Sequence, residues 1–228
     1  MMLEDERRQI VEACRKMRAD GLVVGTAGNI SVRVGELIAV TPSGLDYEAM
    51  TPESVGVHRL DGAPVEATLA PTTELPMHLA VYAGTDAGAV VHTHSTAATV
   101  FSTVGDELPS IHYMVALFGG PVRVASYATY GTPELAANMT AALAGRTACI
   151  LGNHGTISYG ADLAAAYARA AQLEWLCEVY LRACAAGTPR LLPPAEIDRV
   201  KDKLAGYGVR AMAGLPAPDA PDAPDAQA

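Results

Sequence analysis

Three histidines have the spacing of metal ligands. His92 and His94 end the apolar run 89–94, and residues two apart on a strand project to the same face, so two imidazoles there can bind one metal ion. His154 follows a second apolar run, 147–151, in a turn flanked by glycines. A His-x-His pair alone is as typical of two partly exposed histidines at a strand end as it is of a metal site. The third histidine favours the metal site.

Glu74 is the fourth candidate ligand, because it follows two threonines at a predicted helix start. A carboxylate there can cap the helix or face a metal. Three imidazoles and one carboxylate suit Zn²⁺, or another divalent transition metal, better than calcium or magnesium, which prefer oxygen ligands. The residues therefore predict a metal site, with helix capping as the alternative role of Glu74.

Small hydrogen-bond donors are concentrated in three loops. The segments are 25–29 (GTAGN), 41–44 (TPSG) and 71–73 (PTT), the last directly before Glu74. Hydroxyls, loop amides and a helix N-terminus together can form a nest for a phosphate-sized anion. Each segment alone is more typical of an ordinary turn or cap. Their placement beside a candidate metal ligand is what predicts an anion site.

The hydrophobic periodicity predicts the elements that must position these residues. Helices are predicted at 3–20, 74–83, 95–104, 132–144, 161–186 and 194–206, and strands on both sides of Gly35 and at 55–60, 89–94, 121–126 and 147–151. Several strands lie too close in sequence for crossover helices. The prediction is a single α/β domain with an antiparallel or mixed sheet.

Composition narrows the function classes. Half of the 228 residues are hydrophobic and the net charge is -9, without any Lys/Arg-rich run, which excludes nucleic acid as the main partner. No apolar run approaches the ~20 residues of a membrane helix, and the N-terminus MMLEDERRQ lacks the pattern of a secretory signal. The four cysteines form no CxxC pair and lie in apolar stretches that predict burial. We expect a cytoplasmic protein with reduced thiols and no membrane partner.

Eight ordered motifs resemble the class II aldolase/adducin family, and within it the zinc-dependent L-fuculose-1-phosphate aldolases. The resemblance runs from the first helix to about Arg210. The motifs are 25–33 (GTAGNISVR), 41–44 (TPSG), 71–74 (PTTE), 91–94 (VHTH), 111–114 (IHYM), 127–132 (YATYGT), 153–155 (NHG) and 207–210 (YGVR). The third zinc motif has Asn153 where the aldolases have Gln, and Thr72-Thr73 replace two serines.

The resemblance implies a fold and an assembly. It implies a single three-layer α/β/α domain at 1–212 with a central, largely antiparallel sheet, followed by a Pro/Ala/Asp tail at 213–228 whose composition predicts disorder. It also implies a homotetramer with active sites between subunits.

The resemblance also assigns roles to residues. Zinc is held by His92, His94 and His154, with Glu74 able to bind or release it, and phosphate is held by Thr26, Asn29, Ser43, Gly44, Thr72 and Thr73. The implied catalytic residues are Glu74 for the proton on carbon, with Tyr113 and Tyr207 of a neighbouring subunit on the aldehyde side. From the residues alone, Tyr113 is more typical of a buried aromatic, and only the resemblance favours catalysis.

The implied reaction is reversible retro-aldol cleavage of a ketose 1-phosphate, L-fuculose 1-phosphate or a related deoxy-sugar or pentulose, to dihydroxyacetone phosphate and a short aldehyde such as L-lactaldehyde. A bound zinc ion acts as a Lewis acid in such a reaction. The three lysines, Lys16, Lys201 and Lys203, lie in predicted surface helices, so an imine mechanism has no obvious nucleophile.

Three alternatives share the family. An L-ribulose-5-phosphate 4-epimerase or a methylthioribulose-1-phosphate dehydratase would use the same metal, and a non-catalytic adducin-like interaction domain would need none. The motif 111–114 and the C-terminal Tyr207-Gly208 favour cleavage over epimerisation. Three other histidines receive no role: His78 and His112 are predicted to be structural, and His58 to be exposed.

Overall fold

The structure is a computed structural model and describes residues 1–204. Its helices are α1 (Glu4–Ala19), α2 (Leu75–Gly84), α3 (Thr96–Phe101), α4 (Pro133–Leu143), α5 (Leu163–Ala186) and α6 (Pro194–Leu204). Its strands are β1 (Asn29–Val34), β2 (Leu37–Val40), β3 (Gly56–Arg59), β4 (Pro64–Glu66), β5 (Ala89–Thr93), β6 (Glu107–Leu108), β7 (Val122–Ala125), β8 (Ala148–Leu151) and β9 (Gly155–Gly160).

The strands form one largely antiparallel sheet. Their order across it is β4-β3-β2-β1-β5-β9-β8-β7-β6, and among these pairs β7 and β8 alone run parallel, joined by the crossover helix α4. Short connections such as Gly35-Glu36 between β1 and β2 require the antiparallel pairing seen elsewhere. The candidate site lies where β1, β5 and β9 adjoin in the centre of this sheet.

Alternating residues of the central strands bury the two faces of the sheet under helices. Ile30 and Val91 pack in one core cluster with residues of α1 and α5, whereas Val90 packs in a second cluster with α2 and α4. This is the alternation that the pleat of a strand imposes. The predicted three-layer α/β/α fold with a central antiparallel sheet is confirmed.

The most consequential difference from the predicted elements is β9. The segment 155–160 (GTISYG) was not predicted as a strand, because it carries glycines at both ends and polar residues at the positions that one sheet face buries. Thr156 and Ser158 are nevertheless fully buried and hydrogen-bonded, Thr156 to the Thr93 hydroxyl at 2.7 Å and Ser158 to the Ala166 carbonyl at 2.9 Å. Those bonds allow polar side chains inside the core.

Smaller corrections concern β4, β6 and two side chains. The short strands β4 and β6 were not predicted, and α3 is shorter than its predicted range. His58 is buried and not exposed, with its Nδ1 3.2 Å from the Gly62 carbonyl, because the added strand β4 flanks β3. Cys184 is exposed, unlike the other three cysteines, because it lies in the last turns of α5.

Some predictions concern residues outside 1–204. These are the domain boundary at 212, the tail at 213–228, Tyr207 and the last two residues of the predicted helix 194–206. Within the described part of the chain, no helix is both long and apolar enough to cross a bilayer.

Candidate active site

The pairing of β5 with β9 brings the three predicted histidine ligands together. His92 lies near the end of β5 opposite Ile157 of β9, and His154 lies in the turn that joins β8 to β9. His94 follows β5, and its backbone amide donates to the Leu22 carbonyl at 3.1 Å. Gly155 permits this packing, since an added Cβ there would lie 2.1 Å from the Thr93 carbonyl oxygen.

The four predicted ligands form one compact cluster. One ligand atom from each of Glu74, His92, His94 and His154 lies within 4.8 Å of all the others. His92 Nε2 is 2.8 Å from His94 Nε2 and 3.0 Å from Glu74 Oε2, and His154 Nε2 is 3.1 Å from Glu74 Oε1. Glu74 is the N-cap residue of α2 but makes no capping hydrogen bond with its side chain, so the capping role is not the one observed.

Two features fit this cluster to a divalent transition metal. His92 Nδ1 lies 2.8 Å from the Thr156 carbonyl oxygen, which only accepts; Nδ1 therefore carries the hydrogen and the Nε2 lone pair faces the cluster. Glu74 Oε1 is buried and accepts no hydrogen bond despite its proximity to His154. A buried carboxylate oxygen without a donor costs free energy unless a cation completes it. Three imidazoles and one carboxylate are the ligand set of zinc and its neighbours.

The protonation states of Glu74 and His94 are those that metal binding requires. Burial alone would raise the pKa of the Glu74 carboxyl, but the interactions with His92, His154 and Asn29 bring that pKa well below its ordinary value, so Glu74 is ionised. Burial, with the neighbouring His92 and His154, lowers the pKa of His94 to about 3. A neutral imidazole beside an ionised carboxylate is the form that binds a metal ion.

The cluster opens into a cleft of ≈ 510 Å³. Glu74, His94 and His154 line it, together with all six predicted phosphate-binding residues: Thr26, Asn29, Ser43, Gly44, Thr72 and Thr73. Within residues 1–204, no lysine or arginine lines this cleft. An anion bound here would be held by hydroxyls and loop amides beside the cation.

The loops that form the cleft are fixed by hydrogen bonds to buried groups. The Tyr47 hydroxyl lies 2.8 Å from both the Ala27 and Gly28 carbonyls and fixes the loop before β1. Thr72 N donates to the Thr41 carbonyl at 3.0 Å, which joins the second and third predicted anion-binding segments. The Thr72 hydroxyl accepts from Glu74 N at 3.2 Å. Hydrogen bonds thus connect the second and third anion-binding segments to each other and to Glu74.

The sequence predicted only part of the contacts that Asn29 makes and only part of the positions that the tyrosines take. The Asn29 side chain reaches the cleft but donates to Glu74 Oε2 at 2.8 Å and contacts His78, a link that the motifs alone did not indicate. Tyr127 and Tyr130 also line the cleft and are exposed; they received no role from the sequence, although they lie inside a matched motif. Tyr113 is half-exposed and does not line the cleft of its own chain.

Comparisons with known proteins identify the family of this chain. The family described as Class II Aldolase and Adducin N-terminal domain matches residues 8–181. A 5-deoxy-D-ribulose 1-phosphate aldolase of Bacillus thuringiensis serovar kurstaki is 39% identical over 211 residues, covering 91% of this chain and 99% of its own. A 5-methylthioribulose-1-phosphate/5-deoxyribulose-1-phosphate aldolase of Rhodospirillum rubrum is 40% identical, covering 94% and 96%.

A solved structure named L-fuculose 1-phosphate aldolase superposes with a TM-score of 0.87 at 36% identity, over 90% of this chain and 98% of that one. The fold, the histidine–carboxylate cluster and these matches define a metal-dependent aldolase, an enzyme that breaks and forms carbon–carbon bonds. The chain belongs to the class II aldolase/adducin family. The prediction of an enzyme of this family is confirmed, and the non-catalytic alternative is not supported.

Proposed function

We propose that the protein catalyses the reversible retro-aldol cleavage of a ketose 1-phosphate into dihydroxyacetone phosphate and a short aldehyde. The observation that carries the proposal is the shared cleft, in which six hydroxyl- or amide-bearing residues lie beside Glu74, His94 and His154. A substrate with a phosphate on C1 and a carbonyl on C2 presents its anion and its reacting carbons to such a cleft at adjacent positions.

Zn²⁺ is the metal we propose, bound by His92, His94 and His154 with Glu74 as a releasable fourth ligand. When bound, the ion supplies Lewis-acid stabilisation of the charge that develops beside the substrate carbonyl. The Thr156 carbonyl orients the ring of His92 toward the site. The loop amides and hydroxyls orient the phosphate, so the scissile bond is held near Glu74.

Glu74 is proposed to move the proton on carbon. Cleavage breaks the C3–C4 bond and leaves the electron pair on the C3 side, and a proton must reach C3 to give dihydroxyacetone phosphate. Glu74 is ionised before the reaction, so it takes up one proton from water that reaches the cleft and passes that proton to C3; in the reverse direction it removes the proton from C3. The proton on the C4 hydroxyl leaves as the aldehyde forms, and Tyr113 and Tyr207 of a neighbouring subunit are the proposed groups on that side.

We propose a homotetramer with active sites between subunits, because among residues 1–204 the implied catalytic Tyr113 does not line the cleft of its own chain. Tyr113 lies in the 3-10 turn Tyr113–Phe118, is half-exposed and contributes to a different surface from the cleft. The proposed catalytic role of Tyr113 therefore requires that it reach the cleft of a neighbouring chain. A cytoplasmic location stays a prediction from the sequence.

The names of the relatives narrow the proposed substrate. 5-Deoxyribulose 1-phosphate and L-fuculose 1-phosphate are both ketose 1-phosphates whose last carbon is a methyl group. We therefore favour a deoxy-ketose 1-phosphate, with acetaldehyde or L-lactaldehyde as the second product.

The test is to incubate the zinc-loaded protein with 5-deoxyribulose 1-phosphate, L-fuculose 1-phosphate, 5-methylthioribulose 1-phosphate and ribulose 5-phosphate, and to identify the products. Dihydroxyacetone phosphate and aldehyde in equal amounts from a 1-phosphate support the proposal. Epimerised pentose phosphate without triose phosphate would indicate the epimerase, and loss of water from methylthioribulose 1-phosphate would indicate the dehydratase. Either result would overturn cleavage.

A further inference from the structure

A chain of five buried side chains extends from Glu74 into the core. Helix α2 contributes Glu74, His78 and Tyr82, which are four residues apart and share one helix face. Strand β1 contributes Asn29 and Ser31, which are two apart and share one strand face. The two sets alternate, so that each strand side chain lies between two from the helix.

Each link is a short hydrogen bond. Asn29 Nδ2 donates to Glu74 Oε2 at 2.8 Å, and His78 Nε2 lies 2.6 Å from Asn29 Oδ1. The Ser31 hydroxyl lies 2.7 Å from both His78 Nδ1 and the Tyr82 hydroxyl. All five residues are buried, so water cannot replace a lost partner without a cavity to hold it.

The chemistry of the groups fixes the direction of every bond. The Asn29 amide donates to a carboxylate, so its oxygen faces His78, and an amide oxygen only accepts. His78 must therefore carry its hydrogen on Nε2, which leaves Nδ1 to accept from Ser31, and Ser31 in turn accepts from Tyr82. Burial lowers the pKa of His78 to about 3 and raises that of Tyr82, which keeps both groups neutral, as this direction requires.

The direction of these hydrogen bonds fixes the orientation of the Asn29 amide, which has a similar shape in its two flipped orientations. In the observed orientation its NH₂ group meets the Glu74 carboxylate. A flipped amide would place two oxygens against each other at the same 2.8 Å separation and turn the carboxylate away. His78 opposes the flip, because its Nε2–H needs an acceptor and a flipped amide would present its NH₂ group there instead.

We propose that His78 is a positioning residue for the metal centre: through Asn29 it holds the Glu74 carboxylate with Oε2 bonded and Oε1 free to face the ion. The proposal rests on the proposed function only in taking Glu74 as a metal ligand. Groups that orient a metal ligand in this way typically change metal affinity or activity by about 10- to 100-fold when removed.

The test measures Zn²⁺ affinity by competition with a chromophoric chelator, without any sugar phosphate. His78→Phe, which cannot donate to Asn29, is expected to weaken Zn²⁺ binding by about 10- to 100-fold. His78→Gln places an amide NH₂ near the position of Nε2 and is expected to restore most of the affinity. The matched control is His58→Phe, which also removes a buried histidine but lies on β3, away from the cleft; it should stay within about threefold of the parent protein.

A second measurement does not depend on the folding of His78→Phe. Nitrogen NMR of the unsubstituted protein, with the His78 signals assigned by their loss in His78→Gln, is expected to show hydrogen on Nε2 and none on Nδ1. The opposite tautomer, or unchanged Zn²⁺ affinity in a folded His78→Phe protein, would overturn the proposal. Because neither experiment uses a substrate, the outcome is separate from whether the protein cleaves a ketose 1-phosphate.

Discussion

Gly155 of β9 lies so close to Thr93 of β5 that a residue with a side chain does not fit at position 155. A Cβ at Gly155 would be 2.1 Å from the Thr93 carbonyl oxygen and 3.4 Å from His94 Cα. An ordinary carbon–oxygen contact is about 3.3 Å, so Gly155→Ala requires a backbone shift of about 1 Å. That shift moves the segment 92–94, which carries His92 and His94, away from His154. Three of the four candidate ligands are therefore displaced relative to one another.

The expected loss is large for binding and moderate for stability. Metal–ligand distances vary by only about 0.2 Å in working sites, so a shift of about 1 Å removes at least one ligand. We expect Zn²⁺ affinity to fall by 100-fold or more, on the order of 3 kcal/mol. Forcing a methyl group into packed backbone also lowers the free energy of unfolding by about 1–3 kcal/mol.

The assay is Zn²⁺ competition together with denaturant unfolding of Gly155→Ala. The control is Gly84→Ala at the end of α2, where an added Cβ meets nothing within 4 Å. This control should bind Zn²⁺ normally and should unfold at the parent free energy or up to about 1 kcal/mol above it. Parent-like Zn²⁺ affinity in a stable Gly155→Ala protein would refute the argument that the β5–β9 contact positions the ligands.

Three further predictions concern individual side chains. Glu74→Gln should lower the cleavage rate by about 10²- to 10⁴-fold, since it removes the proposed proton carrier; near-parent turnover would leave Glu74 with a structural role only. Tyr113→Phe should lower kcat by a similar factor while the inhibition constant of inorganic phosphate changes less than about threefold, and equal losses in both would contradict its role. His78 has a pKa of about 3 when folded against 6.5 as the reference value, so the unfolded chain binds more protons below pH 6.5 and the parent loses stability as pH falls. In pH-dependent unfolding between pH 6.5 and 4, the parent should therefore lose about 3 kcal/mol more than His78→Gln, and parallel curves would contradict burial of a neutral His78.

The ligands could be predicted from local sequence because each lies at a boundary that composition marks. His92 and His94 end an apolar strand, His154 lies between glycines, and Glu74 precedes a proline-containing helix turn. These signals need no knowledge of distant contacts. The three-layer fold followed from the resemblance and from the short connections between strands.

What could not be predicted depended on contacts between distant segments. β9 lacks an apolar alternation, and only its pairing with β5 and β8 explains why Thr156 and Ser158 are buried. His58 was expected to be exposed because its burial depends on β4, a strand of three residues with no burial pattern of its own. The link from His78 to Glu74 through Asn29 spans 49 residues in sequence. Its only sequence signal is a spacing of four from Glu74 to His78 and again to Tyr82, which any amphipathic helix can show.

The metal content of the purified protein tests the central claim most directly, because the site geometry, the proposed chemistry and the role of His78 all require an ion between Glu74 and the three histidines. Elemental analysis should find about one divalent transition metal ion per chain, and His154→Ala, which removes one of the four ligands, should retain far less. Removal with a chelator should abolish cleavage, and Zn²⁺ should restore it. A protein that cleaves a ketose 1-phosphate without any divalent metal, or a His154→Ala protein that keeps a full equivalent, would contradict the account.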